Sequence, residues 1–260
     1  MKARLLTILA AAALTACATG PVAPETTKSK IVEEGGTGPY KALMFEAPDL
    51  EAHTVFAPQD LSAFGKKEKL PVLVWGNGAC TNSPWEHYKF LNEIASYGFL
   101  VIATGYIPME EVPYNGPRST SEQQLQSVDW AIAQNADKKS PFYGRIDTNA
   151  IAAAGMSCGG LQTLDNSADP RFKTLMIMNS GLFINPAGAM PGMPMPEKEK
   201  LQNIKVPVIY ILGGEEDIAY GNGMDDFFRC VYRSSEYDFL SLCLDHIGKG
   251  LISFLRWLHM

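Results

Sequence analysis

Short, continuous runs of apolar residues recur through most of the chain, and they predict buried strands. Most of these runs are apolar without interruption, which is typical of strands covered on both faces in a parallel sheet. The runs occupy residues 70–75, 99–103, 151–154, 173–178 and 206–212. Residues 53–57 alternate instead and end at Pro58, so they predict an earlier antiparallel strand. An edge strand at 40–45 and a last strand at 237–244 complete the prediction.

Helix-type patterns lie between these strands. Ser83 and Glu86 form a capping box with Pro84 between them, which predicts that a helix begins there. Ser119 and Glu122 form a second capping box ahead of another amphipathic segment. Strands that alternate with helices predict an α/β fold, with a mostly parallel, doubly wound sheet and helices on both faces.

The beginning of the chain predicts an export signal that is separate from the fold. Lys2 and Arg4 precede an apolar run at 5–16 that is too short to span a bilayer. The run ends in Leu-Thr-Ala-Cys, which resembles the lipobox of bacterial lipoproteins and implies that Cys17 is lipidated. An ordinary secretory signal with an incidental cysteine is the alternative. Because Ala18 follows instead of aspartate, the resemblance implies an outer-membrane lipoprotein facing the periplasm or the exterior.

Small and polar residues dominate the next segment and separate the signal, residues 1–16, from the fold. Residues 17–30 are predicted to be a lipid-anchored flexible tether, followed by one domain at 31–260 that is long enough for a full core. Without Lys2 and Arg4 the chain has 20 basic and 28 acidic residues, so its net charge falls from −6 to −8. This charge, and a sequence without a basic run, argue against nucleic acid as a partner.

The candidate chemistry centres on the sequence GMSCG at residues 155–159, directly after the predicted strand 151–154. The pattern G-x-S-x-G between a strand and a helix indicates a nucleophile elbow, a sharp turn that holds the serine oxygen clear of its backbone. Glycines flank the turn because larger side chains would collide where the strand and the helix cross. We therefore predict that Ser157 is a nucleophile, with a chance Gly/Ser turn as the alternative.

A nucleophilic serine needs a base to take its proton and an acid to orient that base. After a nucleophile elbow these partners follow in the order acid, then histidine. Asp217 comes just after the predicted strand 206–212 and is the predicted acid, and His246 after the last strand is the predicted base. The nearby competitors for the acid are Glu215, Glu216, Asp225 and Asp226. The remaining histidines precede the serine or end the chain: His53, which is predicted at the surface or the edge of the early strand, His87, which is predicted on a helix surface, and His259.

Two backbone N–H groups must face the negative charge that develops on the substrate oxygen. Cys158, the residue after the serine, is predicted to supply one of them. Asn77, in the glycine-containing loop 76–80 after the strand 70–75, is predicted to supply the other, because glycines let the backbone turn inward. A tight strand-to-helix turn without this role is the alternative reading of the loop.

The cysteines show neither C-x-x-C nor a Cys/His zinc pattern, so their spacing does not indicate a zinc site. An exported protein lies in a compartment that permits disulfides. Cys80 and Cys158 lie on the two loops that are predicted to meet at the serine, so they are the first candidate pair. Cys230 with Cys243 is the second candidate pair.

Together these segments resemble α/β-hydrolases of the dienelactone hydrolase and cutinase-like polyester hydrolase group, which includes PET-degrading enzymes. The resemblance covers about residues 53–220, through GNGAC, PWEHYKFLNEIASYGFLVIA, GMSCGG and GGEEDIA. It implies an α/β-hydrolase fold and a serine hydrolase that needs no metal or organic cofactor. It also implies that the oxyanion donors are Asn77 and Cys158.

The resemblance has two departures. Polyester hydrolases often carry an aromatic residue at the position of Asn77, whereas here Phe183 is an aromatic candidate for substrate binding, beside Met156, which precedes the serine. From Phe227 onward the match fades, and DHIG at 245–248 approximates the expected glycine-flanked histidine loop. A divergent tail and a truncated or frame-shifted reading of the gene both remain open.

The sequence thus predicts a serine hydrolase that cleaves small or polymeric carboxylic esters through an acyl-enzyme, with Ser157, His246 and Asp217 as its triad. A peptidase or amidase that uses the same triad is one alternative. A catalytically inactive hydrolase fold that acts as an envelope binding protein is the other. The identity of the substrate and the oligomeric state are left open by the sequence.

Overall fold

One sheet of nine strands forms the centre of the computed structural model, which describes residues 23, 28–107, 117–231 and 240–243. The strands are β1 (Ser29–Lys30), β2 (Ala42–Phe45), β3 (His53–Pro58), β4 (Leu70–Gly76), β5 (Leu100–Thr104), β6 (Ile146–Met156), β7 (Phe172–Met178), β8 (Val208–Leu212) and β9 (Leu240–Cys243). They lie side by side in the order β1-β2-β3-β5-β4-β6-β7-β8-β9.

The strands from β4 to β9 are parallel, and β1, β2 and β3 extend the sheet as antiparallel strands beyond β5. Strand β4 pairs with β5 on one side and with β6 on the other, so the connection from β4 to β5 and the connection from β5 to β6 run in opposite directions across the sheet. Such a switch point opens a crevice at the carboxyl ends of the strands, where ligands bind in open α/β sheets. The predicted mostly parallel, doubly wound sheet is confirmed.

Helices cover both faces of the central strands. The helices are α1 (Tyr88–Ser96), α2 (Ser121–Ala136), α3 (Cys158–Asp165) and α4 (Tyr220–Val231). On one face, Leu91 of α1 packs in the same core as Trp75 of β4. On the other face, Val128 of α2 and Leu161 of α3 pack in the same core as Val74 of β4. Because both faces are buried, the central strands are apolar without interruption.

The predicted start of the first helix is wrong. Residues 85–87 form a turn, and α1 begins only at Tyr88. Tertiary contacts explain the difference, because the Tyr106 N–H donates to the Asn82 carbonyl at 3.1 Å. Gly105 also packs so closely that a Cβ on it would lie 2.2 Å from the carbonyl carbon of Asn82. These contacts hold the chain in a non-helical turn and override the local capping signal.

Three smaller predictions also need correction. The second capping box uses Thr120 and Gln123, one residue later than predicted. The strand at 40–45 is not an edge strand, because β1 pairs with β2 on its outer side. The predicted tether at 17–30 ends too late, because Ala23 is buried, its N–H donates to the Gln59 carbonyl at 3.0 Å, and residues 29–30 form β1.

The predicted signal, residues 1–16, and the lipidation site Cys17 lie outside the described residues. Among the helices that the structure describes, none combines the length and the apolar character needed to cross a membrane.

Candidate functional site: a serine at the switch point of the sheet

Ser157 occupies a sharp turn between a central strand and a helix. Strand β6 ends at Met156 and α3 begins at Cys158, so the turn consists of Ser157 alone. Its backbone has φ 52° and ψ −116°, a conformation that costs free energy for a residue with a Cβ. The Ser157 N–H donates to the Met178 carbonyl at 2.9 Å, which fixes the turn to the end of β7. The turn therefore has the backbone geometry of a nucleophile elbow.

The glycines around the serine permit two close approaches of backbone. A Cβ on Gly155 would lie 2.3 Å from the carbonyl carbon of Gly159, where the strand and the helix cross. A Cβ on Gly159 would lie 2.0 Å from the Gly76 carbonyl oxygen and 2.7 Å from the Asn77 nitrogen. Any side chain at these positions would push the elbow away from the loop after β4.

Asn77 lies beside the elbow, as the first residue after β4. Its side chain is buried, and its Nδ2 donates to the Thr104 carbonyl at 2.7 Å and to the Thr81 carbonyl at 3.0 Å. These bonds tie the loop after β4 to the end of β5 and leave the Asn77 main-chain nitrogen near Gly159. The structure thus brings the two predicted oxyanion residues, Asn77 and Cys158, onto adjacent loops.

A disulfide joins the same two loops. Cys80, three residues after Asn77, is bonded to Cys158, with their Cα atoms 5.2 Å apart. Both cysteines are fully buried. The Gln162 Nε2 donates to the Cys80 sulfur at 3.4 Å from the next turn of α3.

Asp217 is placed in the turn after β8, one strand beyond β7. Its Oδ1 accepts the Ala219 N–H at 2.8 Å. Its Oδ2 accepts the Gly213 N–H at 3.3 Å and a hydrogen bond from the Asn179 side-chain amide. Donors from three sides hold this carboxylate at the same edge of the sheet as Ser157, as a group that orients a base requires.

The competing acidic residues have other surroundings. Glu215 and Glu216 are exposed on the same turn. Asp225 and Asp226 lie on α4 and form ion pairs with Lys198, at 2.7 Å and 2.5 Å. Among these candidates, Asp217 is the one whose carboxylate is bonded to the loops after β7 and β8.

The predicted substrate-binding residues lie on either side of the serine along the chain. Met156 is half-buried, and its methyl group would be 3.1 Å from a Cβ on Gly78, so it packs against the loop after β4. Phe183, five residues after β7, is half-buried and packs against the core on the α2 and α3 face. Met156 therefore adjoins the predicted oxyanion loop, whereas Phe183 is partly engaged in core packing.

Sequence reasoning missed two residues at this edge. Asn179 follows β7 directly, has φ 43°, and donates its side-chain amide to Asp217. Ile218 follows Asp217 and is 98% exposed, an unusual position for so large an apolar side chain. The only available signal for Asn179 was its place after a buried strand that neighbours β8.

Asp226 holds the segment between Leu182 and Lys198, which includes the proline- and methionine-rich residues 185–196. Its Oδ2 accepts the Leu182 N–H at 2.6 Å, before this stretch, and its Oδ1 accepts from Lys198 Nζ at 2.5 Å, after it. Burial raises the pKa of Asp226 to about 6, although these two donors oppose the shift. One carboxylate therefore joins both ends of the segment to α4.

The two histidines within the described ranges hold structural positions. His53 is buried, not at the surface as its position in a predicted early strand indicated, and its ring nitrogens lie 2.7 Å and 2.8 Å from the carbonyl oxygens of Glu51 and Gln123. His87 packs its ring on Trp75 with centroids 5.0 Å apart, instead of lying on a helix surface, and burial lowers its pKa. The predicted base His246 and the alternative His259 lie outside the described residues.

Within the described part of the chain, no group of three or more His, Cys, Asp or Glu side chains is arranged to hold a metal ion. The side chains of Cys230 and Cys243, the second candidate disulfide, lie outside the described part.

Comparison with solved structures shows the fold. The chain resembles the crystal structure of a protein named as a dienelactone hydrolase, from Klebsiella pneumoniae subsp. pneumoniae MGH 78578. The TM-score is 0.56 at 14% sequence identity, and the match covers 89% of this chain and 98% of the other. The sheet and this likeness together confirm the predicted α/β-hydrolase fold.

Comparison with models of protein families shows which family the chain belongs to. A search of curated protein sequences finds no match to this chain. The sequence model of the family described as PETase: PET hydrolase-like matches residues 23–241, which is most of the chain and begins at the buried Ala23. The protein therefore has the α/β-hydrolase fold and belongs to the PET hydrolase-like family of hydrolases.

Proposed function

We propose that the protein is a serine hydrolase that cleaves carboxylic esters through an acyl-enzyme. The observation that carries the proposal is the backbone of Ser157, held at φ 52° and ψ −116° at the end of a central strand. A strained turn persists only where the surrounding structure holds it, and such turns cluster at functional sites. A serine at this kind of turn presents its oxygen to a substrate.

In the proposed first step, the Ser157 oxygen attacks the ester carbonyl carbon while a base takes the hydroxyl proton. The carbonyl oxygen becomes negative and accepts hydrogen bonds from the main-chain N–H groups of Asn77 and Cys158. Collapse of this intermediate expels the alcohol, which receives the proton from the base, and leaves the acyl group on Ser157. Water then attacks the acyl-enzyme by the same steps and releases the acid.

Asp217 is the proposed residue that orients the base. Its carboxylate is already held by the Asn179 amide and by two main-chain N–H groups, so its position is fixed before a substrate binds. A fixed carboxylate stabilises the imidazolium that forms when a histidine takes the serine proton. His246 remains the proposed base, supported by its place after the last strand.

Exposed apolar side chains on the segments that follow β7 and β8 support an ester with an apolar acyl or alcohol part. Ile218 is 98% exposed, and Ile184, after β7, is 62% exposed. Exposed apolar side chains grouped at one edge are typical of a binding surface. The family description names PET, an aromatic polyester, so we include aromatic polymeric esters beside small esters in the proposed substrate class.

The test is hydrolysis of p-nitrophenyl acetate and p-nitrophenyl butyrate by the full-length protein. We expect Ser157→Ala to lower kcat by roughly 10³-fold or more, because the nucleophile is removed. Ser62→Ala, at an exposed serine, serves as the matched control and should keep the parent rate. His246→Ala should lose activity as well; a rate retained in that variant would mean that another residue is the base.

A fluorophosphonate probe separates the classes of function, since labelling requires an activated serine. We expect labelling of the parent and of Ser62→Ala, but not of Ser157→Ala. A folded parent that neither reacts with the probe nor hydrolyses an ester would contradict the proposal and favour the binding-protein alternative. Faster cleavage of a p-nitroanilide than of the matching ester would favour an amidase.

We also propose that the protein is an outer-membrane lipoprotein, supported by the lipobox-like sequence that ends at Cys17. Cells grown with radioactive palmitate should label the parent and not the Cys17→Ala variant. Membrane fractionation should then place the parent with the outer membrane. Equal labelling of the two proteins, or a parent found only in the soluble fraction, would contradict lipid anchoring.

A further inference from the structure

The two loops that carry the proposed oxyanion donors are joined by a covalent bond. Cys80 lies three residues after Asn77, and Cys158 supplies the second donor through its own main-chain nitrogen. The two cysteines are 78 residues apart along the chain, yet their Cα atoms are 5.2 Å apart. The bridge therefore links the loop that carries one proposed donor, Asn77, to the residue that carries the other, Cys158.

The loop after β4 has a backbone that needs external support. Ala79 has φ 48° and Cys80 has φ 51°, both in the left-handed region without being glycine. Such residues are held by their surroundings and not by local preference. On this loop the Arg118 guanidinium donates to the Ala79 carbonyl at 2.5 Å, and the Ser119 N–H donates to the Cys80 carbonyl at 2.7 Å. The disulfide bonds the same loop to Cys158, the residue that follows the serine of the elbow.

The other end of the bridge is equally constrained. Cys158 is the first residue of α3 and directly follows the strained Ser157. Gly159, the next residue, is already in backbone contact with Gly76 and Asn77. The elbow and the loop are thus held at close range by packing and by one covalent bond, which leaves little room for either to move alone.

Oxyanion donors act only over a short range of distances, about 2.7–3.1 Å from the position of the charged oxygen. A misplacement of about 1 Å in a catalytic site can cost about 10²-fold in rate. A bond that fixes one donor loop against the other would therefore affect the transition state more than the substrate, whose carbonyl carries less charge.

We propose that the Cys80–Cys158 disulfide positions the oxyanion hole, so that kcat depends on the oxidation state of these two cysteines. The proposal rests on the ester hydrolysis proposed above. When a dithiol such as dithiothreitol reduces the bond, it transfers two electrons and two protons. The S–S bond becomes two thiols, and the reagent becomes its cyclic disulfide.

The first arm of the test uses Cys80→Ala, since Cys80 touches no reacting atom. We expect kcat for p-nitrophenyl butyrate to fall by about 10- to 100-fold, with KM changed by less than about threefold because uniform binding is kept. Cys158→Ala and the double variant should fall to the same level, because the two sulfurs act as one unit. Inhibition by butylboronic acid, whose tetrahedral adduct resembles the intermediate, should weaken by the same factor as kcat.

Val128→Ala is the matched control, a buried truncation on α2 in the core that also contains Leu161 of α3. It should lower stability without changing kcat, provided that all proteins are assayed well below their Tm. If the cysteine variants do not fold, the parent is reduced with dithiothreitol, assayed, and then reoxidised. The proposal expects kcat to fall on reduction and to return on reoxidation.

Three results would overturn the proposal. Parent kcat in folded Cys80→Ala would mean that the bridge only stabilises the fold. An unchanged kcat in the parent after its disulfide has been reduced to two thiols would also mean that the bridge only stabilises the fold. An inactive, folded parent would refute the proposed ester hydrolysis, and this proposal with it, so the two failures are distinguishable.

Discussion

Replacing Asp226 by asparagine removes a buried charge and keeps the shape of the side chain. Asp226 is fully buried, and its carboxylate accepts from Lys198 at 2.5 Å and from the Leu182 N–H at 2.6 Å. Burial disfavours the charged form and raises the pKa of Asp226 to about 6 against these donors, and neighbouring Asp225 adds to the rise. The Tyr210 hydroxyl also donates to this carboxylate, at 3.5 Å.

The raised pKa of Asp226 makes the folded protein more stable at low pH than at high pH. In an unfolded chain the pKa of aspartate is about 3.9, so between pH about 4 and 6 the folded protein holds a proton that the unfolded chain has lost. This term stabilises the fold fully below pH about 4 and is lost as the pH rises through about 6. A pKa that rises from about 3.9 in the unfolded chain to about 6 in the folded protein corresponds to about 3 kcal/mol of unfolding free energy.

Urea unfolding, followed by tryptophan fluorescence between pH 7.5 and 4, measures this term. The unfolding free energy of the parent should rise by about 2–3 kcal/mol relative to Asp226→Asn as the pH falls, since groups common to both proteins cancel in the difference. Asp169→Asn is the control, because hydrogen bonds from Arg171 lower the pKa of Asp169, although burial opposes them. Its difference from the parent should stay nearly flat in this range.

A constant difference between the parent and Asp226→Asn across this range would refute the reasoning. It would mean that Asp226 keeps an ordinary pKa and that its contacts with Lys198 and the Leu182 N–H outweigh burial.

Three further substitutions test the site. Gly159→Ala should lower the unfolding free energy by about 3 kcal/mol or more, because a Cβ at this position would lie 2.0 Å from a backbone oxygen. Gly221→Ala is the control and should be neutral in thermal unfolding, because a Cβ there meets nothing within 4 Å. Equal Tm values for the two variants would contradict the close approach at Gly159. Asp217→Asn should lower kcat by about 10³- to 10⁴-fold with an unchanged fold, and parent kinetics would exclude it as the acid. Loss of the Cys80–Cys158 bridge should lower the unfolding free energy by about 2–4 kcal/mol, since it closes a loop of 78 residues; urea unfolding with an unchanged midpoint would contradict this.

The sheet was predictable because its strands carry their own signal. Residues 70–75 and 206–212 are apolar without interruption, and burial on both faces requires this wherever helices cover a parallel sheet. The elbow was predictable for a related reason. Its glycines are needed because the strand and the helix cross too closely for larger side chains, and this holds for every turn of this type. Both features can be recognised in a short stretch of sequence.

The parts that could not be predicted depend on partners distant in the chain. The first helix begins at Tyr88 instead of near Ser83 because Gly105 and Tyr106 hold the preceding turn. Similarly, Asn179 is significant only because β7 and β8 lie side by side and place it against Asp217. No local pattern encodes such contacts, so propensity and spacing alone cannot reveal them.

Backbone strain is concentrated at one edge of the sheet. Of the seven non-glycine residues with positive φ in the described part of the chain, four follow the adjacent strands β4, β6 and β7. They are Ala79, Cys80, Ser157 and Asn179. Each is held by a contact with a segment distant in the chain: the Arg118–Ala79 hydrogen bond, the disulfide at Cys80, the Ser157–Met178 hydrogen bond, or the Asn179–Asp217 pair. Local preference opposes these conformations and tertiary contacts impose them, so the loops that carry the proposed chemistry depend on one another for their shape.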